Sequence, residues 1–178
     1  DKGMLRGLVE KPDEKSSGLA NTACYALPKE IFQLLRKLKK SSRGEYEITD
    51  AITELAKTQK VAVEEAGFWQ SITYPWSLLE ANEALLKQRE KEKPQIAAAA
   101  TIEKYATIKG FVSVGKNTVI KNGAYIEGPV VVGEGCTIGP NCYIRPYTSI
   151  GDNCKVGNAV EIKNSILMNR VVIGHLTY

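Results

Sequence analysis

The chain has 178 residues, 43% hydrophobic and 25% charged, with a formal net charge of +4. That length supports one sizeable core or two small ones. Its Lys and Arg residues are spread along the chain rather than massed in a stripe, which argues against a nucleic-acid partner and for small anionic ligands. No apolar run approaches the roughly eighteen residues that span a bilayer, so no membrane partner is expected. Four cysteines, Cys24, Cys136, Cys142 and Cys154, form no C-x-x-C pair and come with no histidine pattern. No metal site is expected from them, and a reducing cytoplasm is the default setting. The opening Asp1-Lys2-Gly3 reads like the interior of a longer protein, so the chain is expected to be a fragment.

Over 28–40 the apolar residues Ile31, Leu34, Leu35 and Leu38 recur at three and four, the spacing of one helix face. A second helix is expected over 48–58, burying Ile48, Ile52 and Leu55. A third begins near Pro75-Trp76 and carries Leu78, Leu79, Leu85 and Leu86. It fades into the charged run Lys87-Gln88-Arg89-Glu90-Lys91-Glu92-Lys93, read as a solvated helix end or linker closed by Pro94. Strand-like stretches lie at 7–10, 20–27 and 60–64. Residues 1–86 thus read as a mixed α/β segment and 87–95 as a linker.

After Pro94 the period changes. Aliphatic residues recur every six positions, from Ile96, Ile102, Ile108 and Val114 through Ile162 to Met168. Four residues after most of them comes a small or β-branched one, from Ala100 and Ala106 to Cys154 and Val160. A register held this long predicts a parallel β-helix over 96–178. Three flat sides of six residues make a triangular coil, and successive coils stack as parallel strands roughly 4.8 Å apart. Gly115, Gly133 and Gly151 share one column of the coil, where a tight turn would favour a missing Cβ. Cys136 and Cys154 also stand one coil apart and read as small core residues. After Met168 the next in-phase residue is Gly174, so the helix is expected to fray there or to give way to a loop.

One position past the aliphatic residue of one side stands the column Lys109, Glu127, Arg145, Lys163. The first three alternate in sign and form a surface ladder of little energetic weight. Arg145 and Lys163 break it, being like charges in neighbouring coils. A phosphate between them would satisfy both, gripped by the guanidinium fork and the ammonium point charge. The alternatives are that both splay into solvent, or that Glu161 neutralises Lys163. His175, the single histidine, follows a glycine where the repeat loses register. A lone histidine is more often structural than catalytic.

These residues carry a resemblance. Arg145, Lys163 and Gly174-His175-Leu176-Thr177-Tyr178, with Gly157-Asn158 and Glu161-Ile162-Lys163, match the acetyltransferase half of the bifunctional glucosamine-1-phosphate acetyltransferase / N-acetylglucosamine-1-phosphate uridylyltransferases. The arrangement is also similar to archaeal sugar-1-phosphate nucleotidylyltransferases with the same tail. The resemblance implies a left-handed β-helix that trimerises, although ordinary crossovers favour the right hand. It implies that His175 takes a proton from the sugar amine, that Arg145 and Lys163 hold the sugar phosphate, and that Tyr178 contacts the same substrate. Acetyl-CoA is then the acetyl donor. The amine attacks only when unprotonated, for which a neutral imidazole is a suitable base, and a backbone N–H after Met168 could serve the tetrahedral intermediate. No metal is needed for that step.

Residues 1–86 resemble the C-terminal part of a sugar-nucleotidyltransferase domain. The marks are Val9-Glu10-Lys11-Pro12, Asn21-Thr22, Glu45-Tyr46-Glu47-Ile48-Thr49-Asp50 and Pro75-Trp76-Ser77-Leu78-Leu79-Glu80-Ala81-Asn82. The resemblance implies that Glu10, Lys11 and Asn21 contact a sugar phosphate, and that a nucleoside triphosphate and Mg2+ serve the full-length enzyme. Lys11 reads equally as a solvated lysine before a proline turn. Two departures stand out. The glycine-rich nucleotide loop is absent from this chain, and Ser71 stands where many relatives have a metal-binding aspartate. The function expected is acetyl transfer to glucosamine-1-phosphate or galactosamine-1-phosphate, joined to uridylyl or thymidylyl transfer. The alternative is a glucose-1-phosphate thymidylyltransferase whose β-helix is a non-catalytic trimerisation or regulatory module.

Overall fold

The computed structural model describes residues 3–12 and 18–177. Packing divides the chain into two compact units, Asp1–Trp69 and Gln70–Tyr178.

In the first unit, helices α1 (Ile31–Leu35) and α2 (Ile48–Thr58) pack side by side. The second helix has the bounds that its spacing predicts; the first is much shorter than 28–40. Its apolar residues still converge, because the chain leaves α1 in tighter i→i+3 turns, Lys37 N–H to Leu34 O and Leu38 N–H to Leu35 O. Ile31, Ala51, Ile52 and Leu55 are buried together, with Leu34, Leu35 and Leu38 against them. Ile48, expected inside, is 39% exposed. Thr53 Oγ1 accepts from Leu8 N–H at 3.1 Å and donates to Leu8 O at 3.2 Å.

The strand-like stretches at 7–10, 20–27 and 60–64 form no strands. Among the described residues of this unit, the extended chain pairs only at the antiparallel bridge Met4–Ala62. Leu5 N–H to Val61 O and Val63 N–H to Gly3 O flank it. A strand needs a neighbour to take up its N–H and C=O groups, and the other stretches have no ladder beside them.

The second unit opens with α3 (Ser77–Lys87) and continues as a coil. Its first two turns supply β1 (Gln95–Ile96), β2 (Thr101–Ile102), β3 (Thr107–Lys109), β4 (Val112–Val114), β5 (Val119–Ile120) and β6 (Tyr125–Glu127). Then come β7 (Val130–Val132), β8 (Thr137–Ile138), β9 (Tyr143–Ile144), β10 (Thr148–Ile150), β11 (Lys155–Val156) and β12 (Glu161–Ile162). Strands β13 (Ile166–Leu167) and β14 (Val172–Ile173) follow. They build three parallel faces, β1-β4-β7-β10-β13, β2-β5-β8-β11-β14 and β3-β6-β9-β12. This is the expected parallel solenoid of about four turns, consistent with a left-handed β-helix.

Val112 lies beside Val130, and Ile126 beside Ile144, eighteen residues apart. The inward column is almost wholly buried from Val114 to Ile162. The last coil is one residue shorter, since Ile150 pairs with Leu167 and Val156 with Ile173. The corner residues show where the residue is missing. Asn141, Tyr147, Asn153 and Ala159 adopt positive φ six apart, the next is Asn164, and Arg170 and Leu176 resume the step of six. The deletion therefore lies in the turn between β12 and β13. Leu167, 8% exposed, fills the inward place expected for Met168, which is 61% exposed. The apparent loss of repeat is thus a one-residue slip, and neither fraying nor a loop begins at Met168.

Gly115, Gly133 and Gly151 do stack, but none has positive φ. A Cβ on Gly115 would come within 2.6 Å of the Gly133 carbonyl carbon, and one on Gly133 within 2.7 Å of the Gly151 carbonyl carbon. Close approach of successive coils, not turn conformation, excludes a side chain there. The cysteines are all free, with Cys136, Cys142 and Cys154 buried. Cys136 Sγ–H reaches Gly151 O at 3.0 Å and Cys154 Sγ–H reaches Met168 O at 3.1 Å. Burial pushes the Cys142 thiol up to about 11.

Helix α3 packs in this unit, against β10. Its buried residues are Ser77, Ala81 and Leu86, while Leu78, Leu79 and Leu85 are exposed. The packed face thus combines two small residues with Leu86, and the stripe of Leu78, Leu79 and Leu85 is not part of it. The charged run is engaged rather than simply solvated. Arg89 stacks on the buried Phe111 ring with its Cζ 4.1 Å from the centroid, and pairs with Glu92 at 2.9 Å. No helix among the described residues is long and apolar enough to cross a membrane.

Candidate functional site

The third face carries the charge column. Strand pairing sets Lys109 beside Glu127 and Ile144 beside Ile162. Arg145 and Lys163 therefore follow one another in adjacent coils, with Arg145 N–H bonded to Ile162 O at 2.8 Å. A second column runs alongside it. Tyr125 and Tyr143 meet edge to face with centroids 5.3 Å apart. The Lys109 ammonium lies over Tyr125 at 5.1 Å, and the Arg145 guanidinium over Tyr143 at 5.6 Å. Tyr143 donates its hydroxyl to Glu127 at 2.6 Å, which holds that phenol above its ordinary pKa.

Glu161 pairs with Arg145, not with Lys163. Arg145 Nη1 lies 3.0 Å from Glu161 Oε1, and that hydrogen bond raises the guanidinium pKa further. Both side chains are more than a third exposed, so the pair is screened and adds little stability. Its effect is to fix one edge of the guanidinium and leave other N–H donors for a ligand. Lys163 forms no ion pair among the described residues.

His175 stands at the other corner of this face, above the turn after β11. Its Nδ1 accepts from Asn158 N–H at 2.8 Å. Two other side chains do the same at neighbouring turns: Asp152 Oδ1 accepts from Glu134 N–H and Asn169 Oδ1 from Asp152 N–H, each at 2.8 Å. His175 thus caps a turn in the manner of an Asx side chain. With Nδ1 accepting, a neutral ring carries its proton on Nε2. A Cβ on Gly157 would lie 2.8 Å from that Nδ1, so the histidine needs a glycine beneath it. An open cleft of about 410 Å3 at the end of the coil is lined by Glu161, Ile162, Lys163, Ser165, Leu167 and Ile173.

Comparison with known proteins matches both segments. Residues 1–88 fit the family described as nucleotidyl transferase, and residues 126–178 the family described as GMPPB C-terminal domain. A bifunctional protein GlmU of Methanocaldococcus jannaschii is 40% identical over 100% of this chain and 43% of its own length. A bifunctional sugar-1-phosphate nucleotidylyltransferase/acetyltransferase of Sulfurisphaera tokodaii is 40% identical over 98% of this chain and 43% of its own length. The chain belongs to this bifunctional family. It spans less than half the length of these relatives. A low-salt glycan biosynthesis nucleotidyltransferase, Agl11, of Haloferax volcanii is 33% identical over 66% of this chain and 32% of its own length.

Within this family member, the sequence-derived residues fall into separate groups. Arg145 and Lys163 share one face of the solenoid, and His175 stands at the corner where the second face meets it. Tyr178 lies outside the described residues, and Thr177 before it bonds through its carbonyl to Glu161 N–H at 2.9 Å. Glu10 is half-buried and Lys11 exposed with φ of 42°. Asn21 is occupied locally, its Oδ1 accepting from Ala23 N–H at 3.0 Å and its Nδ2 donating to Tyr25 OH at 2.6 Å. No hydrogen bond or ion pair joins Glu10 or Lys11 to Asn21 among the described residues. Ser71 Oγ lies 2.8 Å from Thr73 Oγ1, and the described residues hold no cluster of three metal-ligating side chains. Sequence reasoning missed the pairing of Glu161 with Arg145. The signal was present, because Tyr143 and Glu161 are eighteen residues apart and pair directly.

Proposed function

We propose that this chain is part of an enzyme that transfers an acetyl group from acetyl-CoA to the amine of an amino-sugar-1-phosphate. The substrate is glucosamine-1-phosphate or galactosamine-1-phosphate. In the full-length protein this step is joined to uridylyl or thymidylyl transfer onto the sugar phosphate. The observation that carries the reading is the juxtaposition of Arg145 and Lys163, like charges in adjacent coils, on the face whose other corner bears His175. Arg145 and Lys163 hold the phosphate, Tyr178 contacts the sugar, and His175 removes the amine proton. The nitrogen lone pair attacks the thioester carbon as that proton passes to the imidazole. The tetrahedral intermediate collapses with cleavage of the C–S bond, and CoA leaves as the thiol with the proton returned by the imidazolium. Glu10, Lys11 and Asn21 contact the sugar phosphate of the nucleotidyl step. The Mg2+ of the nucleotidyl step is assigned to residues of the parent enzyme outside this chain. The functional division is placed after residue 86, with 87–95 joining the two activities in a cytoplasmic protein. The test is release of free CoA by the full-length protein, which is expected with an amino-sugar-1-phosphate and absent with the N-acetylated sugar.

A second reading has support in the turn-capping role of His175. If that histidine is only a cap, as Asn169 is, the solenoid is a non-catalytic module on a glucose-1-phosphate thymidylyltransferase. No CoA release with any amino sugar would select this reading.

The solenoid is expected to form a homotrimer. Its flat faces present residues such as Tyr125, Tyr143 and Val131, only partly covered in one chain, and association would bury them. Sedimentation at micromolar concentration should give three times the chain mass; monomer alone would oppose the assignment.

A further inference from the structure

We infer that Asn82, on helix α3, is a positioning residue for the sugar-phosphate grip of the solenoid. This rests on the reading of Arg145 as a phosphate ligand. Asn82 is half-buried between helix and coil. Its Nδ2 donates to Tyr147 O at 2.8 Å, and its Oδ1 accepts from Ser149 Oγ–H at 2.5 Å. The Tyr147 carbonyl can only accept, so it fixes which way the amide faces and leaves Oδ1 to accept from Ser149. Tyr147 is held at two further points, its N–H by Pro129 O at 2.8 Å and its hydroxyl by Glu90.

Tyr147 is the corner residue that turns the chain out of β9. It adopts φ of 62°, a left-handed conformation that is unfavourable for a bulky side chain and persists when surrounding bonds over-determine it. Only Pro146, with φ fixed by its ring, separates it from Arg145. Few soft torsions therefore lie between the Asn82 bond and the Arg145 Cα. The corner above is tied to the same point, since Asn164 N–H donates to Pro146 O at 3.3 Å, and Asn164 follows Lys163. One stacked corner thus sets the start of both cationic side chains, and α3 holds that corner from outside. Residues 1–88, which include α3, match the nucleotidyl transferase family. The last helix of one catalytic segment therefore orders the substrate corner of the other.

The test uses the full-length protein and steady-state acetyl transfer. Asn82→Asp keeps the shape and the acceptor for Ser149 but removes the donor to Tyr147. It is expected to raise KM for the amino-sugar phosphate about five-fold, the worth of one net hydrogen bond. KM for acetyl-CoA and kcat should stay within about two-fold. Ser149→Ala, which removes the second anchor of the amide, should move the same KM in the same direction and serves if the first variant folds poorly. In an Arg145→Ala background, Asn82→Asp should add clearly less than it does alone, because only Lys163 is then left for it to act through. Independent, additive effects, or a lowered Tm with KM unchanged, would overturn the inference. If Arg145→Ala itself leaves KM for the sugar phosphate unchanged, the phosphate-grip reading fails and this inference falls with it. If Arg145→Ala raises that KM while Asn82→Asp and Ser149→Ala do not, only the role of Asn82 fails.

Discussion

Replacing His175 with Ala in the full-length protein is expected to lower acetyl transfer by about two to four orders of magnitude, the usual contribution of a positioned base. Nucleotidyl transfer should survive, because the residues proposed for it lie in the other segment. Raising the pH should partly rescue the variant, since more of the substrate amine is then already neutral. The capping bond complicates the simple replacement, because Nδ1 is taken by Asn158 N–H and the neutral ring is left with its proton on Nε2. To act as a base the imidazole must release Asn158 when substrate enters. His175→Asn separates the two roles, since an Asn Oδ1 can cap the turn as Asn169 does for Asp152 but cannot take a proton. The Asn variant should keep the wild-type Tm and lose acetyl transfer as fully as the Ala variant. Near-normal CoA release by the Asn variant would leave His175 as a cap and favour the non-catalytic solenoid.

Arg145→Ala and Lys163→Ala should each raise KM for the amino-sugar phosphate by about ten- to a hundred-fold, with a much smaller change for acetyl-CoA. Contacts to a charged group are of that strength. The two substitutions differ in a second respect. Removing Arg145 frees Glu161, which then stands as an anion beside the phosphate and repels it. Lys163 has no such partner among the described residues, so Arg145→Ala is expected to be the more damaging of the pair. The double variant Arg145→Ala/Glu161→Gln should therefore recover part of the lost affinity. Equal effects on both substrates would rule out the phosphate grip.

Much of the solenoid is legible in the sequence because its physics is local. A side of six residues must send one aliphatic side chain inward, and that requirement repeats at every side from Ile96 to Ile162. The same arithmetic brings Arg145 next to Lys163, since residues eighteen apart share a column. It fails at one deletion. A single residue lost in the turn after β12 shifts every later position, so Met168 and Gly174 read as inward when Leu167 and Ile173 are. Nothing in a fixed period distinguishes a slip from an ending. Helix α2 is equally legible, as its spacing of four and three from Ile48 to Ile52 and Leu55 is interrupted by neither turn nor proline.

What composition, period and column alone determined is the change of architecture after Pro94, the inward set of the coil and the pairing of like charges on one face. Only the tertiary structure decided which carboxylate takes which cation. Glu161 stands two residues from Lys163 along the strand and diagonal to Arg145 across it, and the folded chain pairs it with Arg145. Tertiary packing also decided the fate of α3, whose leucines look like its buried stripe. Ser77, Ala81 and Leu86 form the buried side of the helix, and three of its four leucines face away from it. The turn-capping bond of His175 belongs to the same class. A hydrogen bond between residues seventeen apart exists only once the coil has brought their turns together, and no local pattern in the chain encodes it.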